Sequence, residues 1–150
     1  MMFIKSIREN RNILAWLSMV TLLAFHVFDE TVNDFLPWYN QNVLNMREQF
    51  GFFPAPKFSF EVWLGGLIGA VVIACLLTLI VAKGGKIIRI VTTILGILMV
   101  LNALIHIGGS VYTGRMLPGT WSSPFLLAAS IFVVYRGFKG VWQKNLAVES

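Results

Sequence analysis

The sequence predicts an all-α polytopic membrane protein: four transmembrane helices in a bundle, with an aromatic-rich extracytoplasmic connection between the first two. Three observations predict it. The 150-residue chain is 57% hydrophobic with a mean hydropathy of +0.74, and only 13% of its residues are charged, about half the charge of an ordinary soluble domain. Four apolar segments, over about 12–29, 62–82, 87–110 and 121–138, approach the roughly 20 residues that a helix needs to cross a bilayer. The basic residues collect at alternate connections, as they do when cytoplasmic loops hold the positive charge. An isolated strand cannot satisfy its backbone in lipid, so all four segments are read as helices. The length suits a single four-helix transmembrane domain over 1–150.

Lys5, Arg8 and Arg11 lead into the first segment. A basic leader and an apolar run also describe a signal peptide, but the small-x-small pattern of a cleavage site is absent. Bulky Phe25, Val27 and Phe28 stand there instead, so the segment reads as an uncleaved anchor. The connection over about 31–61 contains FLPWYNQNVLNMREQFGFFPAPKF, which interleaves aromatics with amides. Trp38, Tyr39, Phe50, Phe52 and Phe53 suit the headgroup level. The stretch after Pro37 allows a short interfacial helix stopped by Gly51 and Pro54, the alternative being an irregular loop.

The second segment carries Gly65 and Gly69 four apart, with Gly66 beside them. Small residues at that spacing let another helix approach closely; internal packing is the favoured use and a homo-oligomer through Gly65 and Gly69 the other. Cys75 is the only cysteine. It rules out a disulfide framework and is expected as a buried apolar filler. Lys83, Lys86 and Arg89 separate the second and third segments. After the third comes GGSVYTGRMLPGTWSSP, where Pro118-Gly119 marks a turn. Thr120 or Ser122 is positioned to cap the last helix, with Pro124 in its first turn.

Arg136, Lys139 and Lys144 follow the fourth segment. With the two groups above they make nine of the twelve basic residues on one side, leaving Arg47, Lys57 and Arg115 on the other. That bias predicts a cytoplasmic (inner) membrane protein with both termini cytoplasmic. Nucleic acid is excluded as a partner despite the net charge of +5, because the basic residues flank apolar runs and form no single face.

The polar exceptions inside the apolar segments carry the functional reading. His26 and Glu30 stand four apart, with Asp29 three from His26, so the trio shares roughly one helix face. Asn102 and His106 form a second pair four apart, and the chain has only these two histidines. At about 1.5 Å of rise per residue, His26 lies about 22 Å above Arg11 and His106 about 25 Å above Arg89. Both helices climb from the same side, so both histidines can face one cavity near the outer surface. A satisfied polar cluster that glues two helices is one reading. But a helix–helix hydrogen bond of that kind averages about 0.6 kcal/mol, and one would suffice. Two histidines, two carboxylates and an amide exceed that need.

Two chemistries compete. In one, His26, Glu30 and His106 are metal ligands, a set that fits zinc with an open fourth position or non-haem iron. Asp29 or Asn102 then orients a ligand or a bound water. In the other, a histidine and a carboxylate move protons without metal. No HExxH is present, nor the ExxH pair of carboxylate di-iron bundles. Tyr112 and Arg115, beyond His106, either anchor at headgroups or bind an anionic group of the substrate.

These residues resemble the bacterial HXXEE-domain family of small multi-pass membrane proteins. Its His-x-x-Glu-Glu motif reads HVFDE here, His26 followed by Asp29 and Glu30. The aspartate departs from the family's first glutamate; charge is kept and reach is shortened, which favours Glu30 over Asp29 as a close ligand. The family's later Asn-x-x-x-His element is similar to NALIH, Asn102 to His106, and its Pro-Gly turn to LPGT, Leu117 to Thr120. The resemblance spans about 12–138. It implies the fold and the site and names no reaction.

Three functions are weighed. The first is a membrane-embedded, metal-dependent enzyme with zinc or iron, acting on a lipid-like or amphipathic small molecule from a pocket near the outer leaflet. Asp29, Glu30 and Asn102 are its candidate catalytic residues, Tyr112 and Arg115 its candidate substrate-binding residues, and hydrolysis, isomerisation and oxidation all remain open. The second is a non-catalytic metal or small-ligand binding or transport protein. Transport lacks an internal repeat, and the cytoplasmic halves of the segments carry only serines and threonines as polar groups. The third is a structural partner of a larger membrane complex.

Overall fold

The computed structural model describes the backbone of residues 2–146 and the side chains of residues 11–139. Lys5, Arg8 and Lys144 therefore lie outside the described side chains. Five helices follow one another: α1 Met2–Val32, α2 Phe35–Phe50, α3 Phe60–Lys83, α4 Lys86–Thr113 and α5 Ser123–Leu146. No strand occurs among the described residues.

Among the described residues three helices, not four, are long and apolar enough to cross a membrane: Arg11–Val32 within α1, Phe60–Lys83 and Lys86–Thr113. The chain is a polytopic, helix-rich membrane protein. The fourth expected segment, 121–138, is corrected. Trp121 and Ser122 belong to the turn before α5. The described side chains of α5, 123–139, form a short stretch that includes Ser123, Ser130, Arg136 and Lys139. Its inner face is buried at Leu126, Ala129, Ser130 and Val133, against α4 and α1. The aromatic-rich extracytoplasmic connection is corrected as well, since most of it is helix. α2 begins at Phe35, ahead of the start expected after Pro37, and ends at Gly51. Pro37 is tolerated because it falls in the first turn, where the amide has no intrahelical partner to lose. The return stretch to α3 is held by side chains of α2: Arg47 Nη2 donates to Ala55 O (2.8 Å), Tyr39 Oη to Pro56 O (3.0 Å) and Asn40 Nδ2 to Phe58 O (2.9 Å).

α1 is the axis of the packing. Ala15, Trp16, Met19, Val20, His26, Val27 and Glu30 are buried on it, at the three- and four-residue spacing of one helix face. α3 and α5 pack on that face, and α4 packs along α5. Trp16 Nε1 donates to Ala74 O of α3 (3.1 Å), which satisfies a polar group that the interior would otherwise leave unpaired. Small residues set the α4–α5 distance. A Cβ on Gly96 would lie 3.0 Å from Val134 Cγ2 and 3.1 Å from Val133 Cγ1, and one on Gly137 would run into Thr93. Close backbone approach of this kind drives association where lipid removes the hydrophobic effect between helices.

Two further expectations are corrected. Gly65, Gly66 and Gly69 do not pack inside the chain, since a Cβ at each would meet nothing within 4 Å. Cys75 is exposed on α3 and is no core filler. α3 leans on α1 alone for most of its length, so its sequence is apolar all round for lipid on one side and α1 on the other.

The bundle has two chemically distinct ends. At one, Arg136 Nε of α5 donates to Asn12 Oδ1 of α1 (2.9 Å), beside the Gly84–Gly85 turn between α3 and α4; this is the basic end. At the other, the last turns of α1 and α4 meet the 114–122 turn and the start of α5; this is the polar end.

Candidate metal centre

α1 brings His26, Asp29 and Glu30 to the polar end on one face, and α4 brings His106 to the same level. All four are buried, His26 to 1% exposure. The two imidazoles meet edge to face with centroids 4.9 Å apart. Glu30 Oε1 lies 3.1 Å from His106 Nε2 and 3.5 Å from His26 Nε2. One ligand atom from each of the three residues falls within 4.8 Å of the others. A tetrahedral ion with ligands at about 2.0–2.1 Å separates neighbouring donor atoms by roughly 3.3–3.4 Å, close to the two histidine–carboxylate distances.

The hydrogen bonds around the rings fix which nitrogens face the centre. His106 Nδ1 lies 2.7 Å from Pro118 O. A carbonyl only accepts, so Nδ1 carries a hydrogen, and Nε2 is the ring nitrogen that faces Glu30. His26 Nδ1 lies 2.7 Å from Ser122 Oγ, which lies 2.7 Å from Asp29 Oδ2. The carboxylate takes the single hydroxyl hydrogen, so Oγ accepts from His26 Nδ1–H. His26 Nε2 then faces the same carboxylate and accepts from Asn102 Nδ2 at 3.0 Å. Asp29 is fully occupied by these roles: it also accepts from Ser122 N (3.0 Å) and Asn33 Nδ2 (2.7 Å). Two ring nitrogens and a carboxylate oxygen thus converge in a buried space. Together they form a donor set able to hold a metal ion. Histidines whose far nitrogen is tied to a carbonyl, or through a hydroxyl to a carboxylate, are arranged as metal ligands usually are.

The 114–122 turn closes the site. Gly119 has φ +81, and a Cβ there would lie 2.8 Å from His106 Nδ1 and Cε1 and 3.1 Å from Glu30 Cγ. Glycine is required both by the left-handed backbone and by the approach. The turn is tied to α4 by hydroxyls: Leu117 N donates to Ser110 Oγ (2.9 Å), Ser110 Oγ and Thr120 Oγ1 are 2.6 Å apart, and Thr120 Oγ1 donates to His106 O (3.3 Å). Phe35, the first residue of α2, lies over His106 (centroids 5.4 Å) and stacks on Trp63 (6.0 Å).

The structure therefore brings together His26, Asp29, Glu30, Asn102 and His106. It does not bring Tyr112 or Arg115 to them: Tyr112 is 92% exposed near the end of α4, and Arg115 is exposed in the turn that follows. Sequence reasoning missed Ser122, Gly119 and Pro118 as parts of the site. It read Ser122 as a cap and the Pro-Gly pair as a turn. The Ser122 hydroxyl instead spans Asp29 and His26, and no helix period links residue 122 to 26. The motif resemblance supplied the one available signal, in LPGT.

The family described as proteins of unknown function with an HXXEE motif matches residues 16–134, and the chain belongs to it. No curated protein and no solved structure matches the chain significantly.

Proposed function

We propose that this member of the HXXEE-motif family is a membrane-embedded, metal-dependent enzyme whose ion is held by His26, Glu30 and His106. One observation carries the reading: both imidazoles are pinned through Nδ1 so that their Nε2 atoms aim at one carboxylate oxygen. Two neutral nitrogens and one carboxylate suit zinc or non-haem iron and leave coordination positions open. An ion held by these three residues would supply Lewis-acid chemistry at a buried site. Asp29 and Ser122 hold the orientation of His26, and the Pro118 carbonyl holds that of His106. Asn102 donates to His26 Nε2, the atom that an ion would take; with an ion held there, its amide would be free to hold a polar group of the substrate. Asp29 is taken up by Ser122 and Asn33, which leaves Glu30 as the carboxylate that would carry a proton.

The surroundings favour a lipid-like or amphipathic small molecule, because the outward faces of α3 and α4 are apolar to the level of the site. We assign the basic end to the cytoplasm on the charge bias of Arg11, Lys83, Lys86, Arg89, Arg136 and Lys139. The metal centre then lies toward the outer leaflet of the inner membrane, and Tyr112 and Arg115 act at its headgroup level. A second reading, a non-catalytic metal-binding protein, is favoured by the near-complete burial of all three ligands.

Metal analysis of the protein purified in mild detergent tests the centre. One zinc or iron per chain is expected after repletion, lost in Glu30→Ala and in His106→Ala. A repleted wild type without metal overturns it. Turnover of lipid extracts by the loaded protein, abolished in Asn102→Ala with metal retained, separates enzyme from binder.

A further inference from the structure

The basic end holds a second polar feature that the metal centre does not use. A cavity of about 70 Å³ opens between α1, α5 and the α3–α4 turn. Its inner wall is apolar, with buried Trp16 and Val133, and its other walls include Asn12, Arg89, Arg136 and Gly85. Arg89 and Arg136 thus both line one small space against a low-dielectric wall, where a charge interacts more strongly than in water. Arg136 is anchored by Asn12. Arg89 makes no ion pair among the described residues. The Gly84–Gly85 wall leads directly into the first turn of the 28-residue α4, and no side chain caps that turn. Its free amides add partial positive charge beside Arg89. Exposed Lys83 and Lys86 flank the turn.

We propose that this cavity is an anion site that takes a phosphate group, bound by the Arg89 fork with Arg136 and the first amides of α4. Guanidinium groups match phosphate oxygens with paired hydrogen bonds. Basic pockets between membrane helices are where anionic headgroups dock. The phosphate comes either from an anionic phospholipid or from a free phosphorylated solute. The apolar wall beside the guanidiniums suits the lipid, and the experiment separates the two. The inference is independent of the metal centre at the other end.

The test measures thermal unfolding of the full chain by tryptophan fluorescence. In uncharged detergent it is titrated with inorganic phosphate against sodium chloride of equal ionic strength. In parallel it is reconstituted in phosphatidylcholine with and without phosphatidylglycerol. Stabilisation by phosphatidylglycerol alone identifies a headgroup; saturable stabilisation by millimolar phosphate identifies a free solute. In either arm Arg89→Gln is expected to weaken the response about tenfold, as loss of a charge-assisted pair does. Arg89→Lys, which keeps charge and length but not the fork, is expected to weaken it severalfold and serves if Arg89→Gln does not fold. No stabilisation in either arm overturns the proposal, and so does a wild-type response in the glutamine variant or, where that variant does not fold, in the lysine variant.

Discussion

The two ends of the bundle solve opposite electrostatic problems. At the polar end, five buried side chains from α1, α4 and the turn before α5, together with half-buried Asn102, satisfy one another down to a single convergent point at Glu30 Oε1. At the basic end, Arg89 and Arg136 share a cavity with one another. The first is a closed network in which every bond fixes the next one's direction; the second is a set of donors with long, adaptable stems. The difference teaches where rigidity is held. The polar end depends on backbone geometry at one glycine, whereas the basic end depends on side-chain charge.

The largest effect follows from breaking the polar end at that glycine. Gly119→Val places a branched side chain where even a Cβ lies 2.8 Å from the His106 ring, on a backbone with φ +81. Strain of this kind is worth about 1–3 kcal/mol before the clash is added. Metal binding is expected to be lost and the melting temperature to fall, read by metal analysis and thermal unfolding, while the phosphate response of the other end persists in whatever protein folds.

Next is Gly137→Ala, which strikes the α4–α5 contact near the basic end. The new methyl meets Thr93, whose hydroxyl is itself bonded to Arg89 O at 2.7 Å. Overpacking typically costs about 1–3 kcal/mol. The expected outcome inverts the first: a lower melting temperature and a weakened phosphate response with one metal per chain retained.

Ser122→Ala sharpens the comparison inside the polar end. It leaves His26 Nδ1–H without an acceptor and removes one of the bonds to Asp29, in a site with 0% exposure at Ser122. A buried donor left unpaired costs about 1–3 kcal/mol, and loss of an outer partner lowers metal affinity about 10–100-fold. A competitive chelator titration measures it. Ser122→Thr, which keeps the hydroxyl, is expected to recover most of the affinity; equal loss in both variants would show that packing, not the hydrogen bond, is at stake.

Much of this site was legible in the sequence because it is built on helix periodicity. His26 and Glu30 share a face by spacing alone, and equal climbs from Arg11 and Arg89 bring His106 to the same level. What the spacing could not reveal is everything contributed by the 114–122 turn. Ser122 looked like a cap because serine before a proline-bearing helix start usually is one, and its real partners are 93 and 96 residues away. The fourth apolar segment misled for a related reason. Leu126, Ala129 and Val133 are apolar because they are buried against α1 and α4, and hydropathy does not distinguish a buried face from a lipid-facing one. Cys75 and the glycines of α3 failed in the opposite sense. They read as packing residues, yet among the described residues no other helix packs against them.

That open face gives the smallest expected effect and the one that decides what α3 is for. A Cβ at Gly65 would meet nothing within 4 Å, so Gly65→Ala adds no clash. It removes the conformational freedom of a mid-helix glycine, worth about 0.5–1 kcal/mol in favour of alanine. In a chain that acts alone, Gly65→Ala is expected to raise the melting temperature slightly, with metal content and phosphate response unchanged at the two ends. If a second copy packs on Gly65 and Gly69, the same methyl falls into the contact, and the melting temperature drops as the oligomer dissociates. Gly69→Ala, one turn further on, is expected to repeat the sign of its neighbour. Unfolding measured together with mass in detergent reads both quantities, and opposite signs at the two positions would break the assumption that one face of α3 acts as a unit.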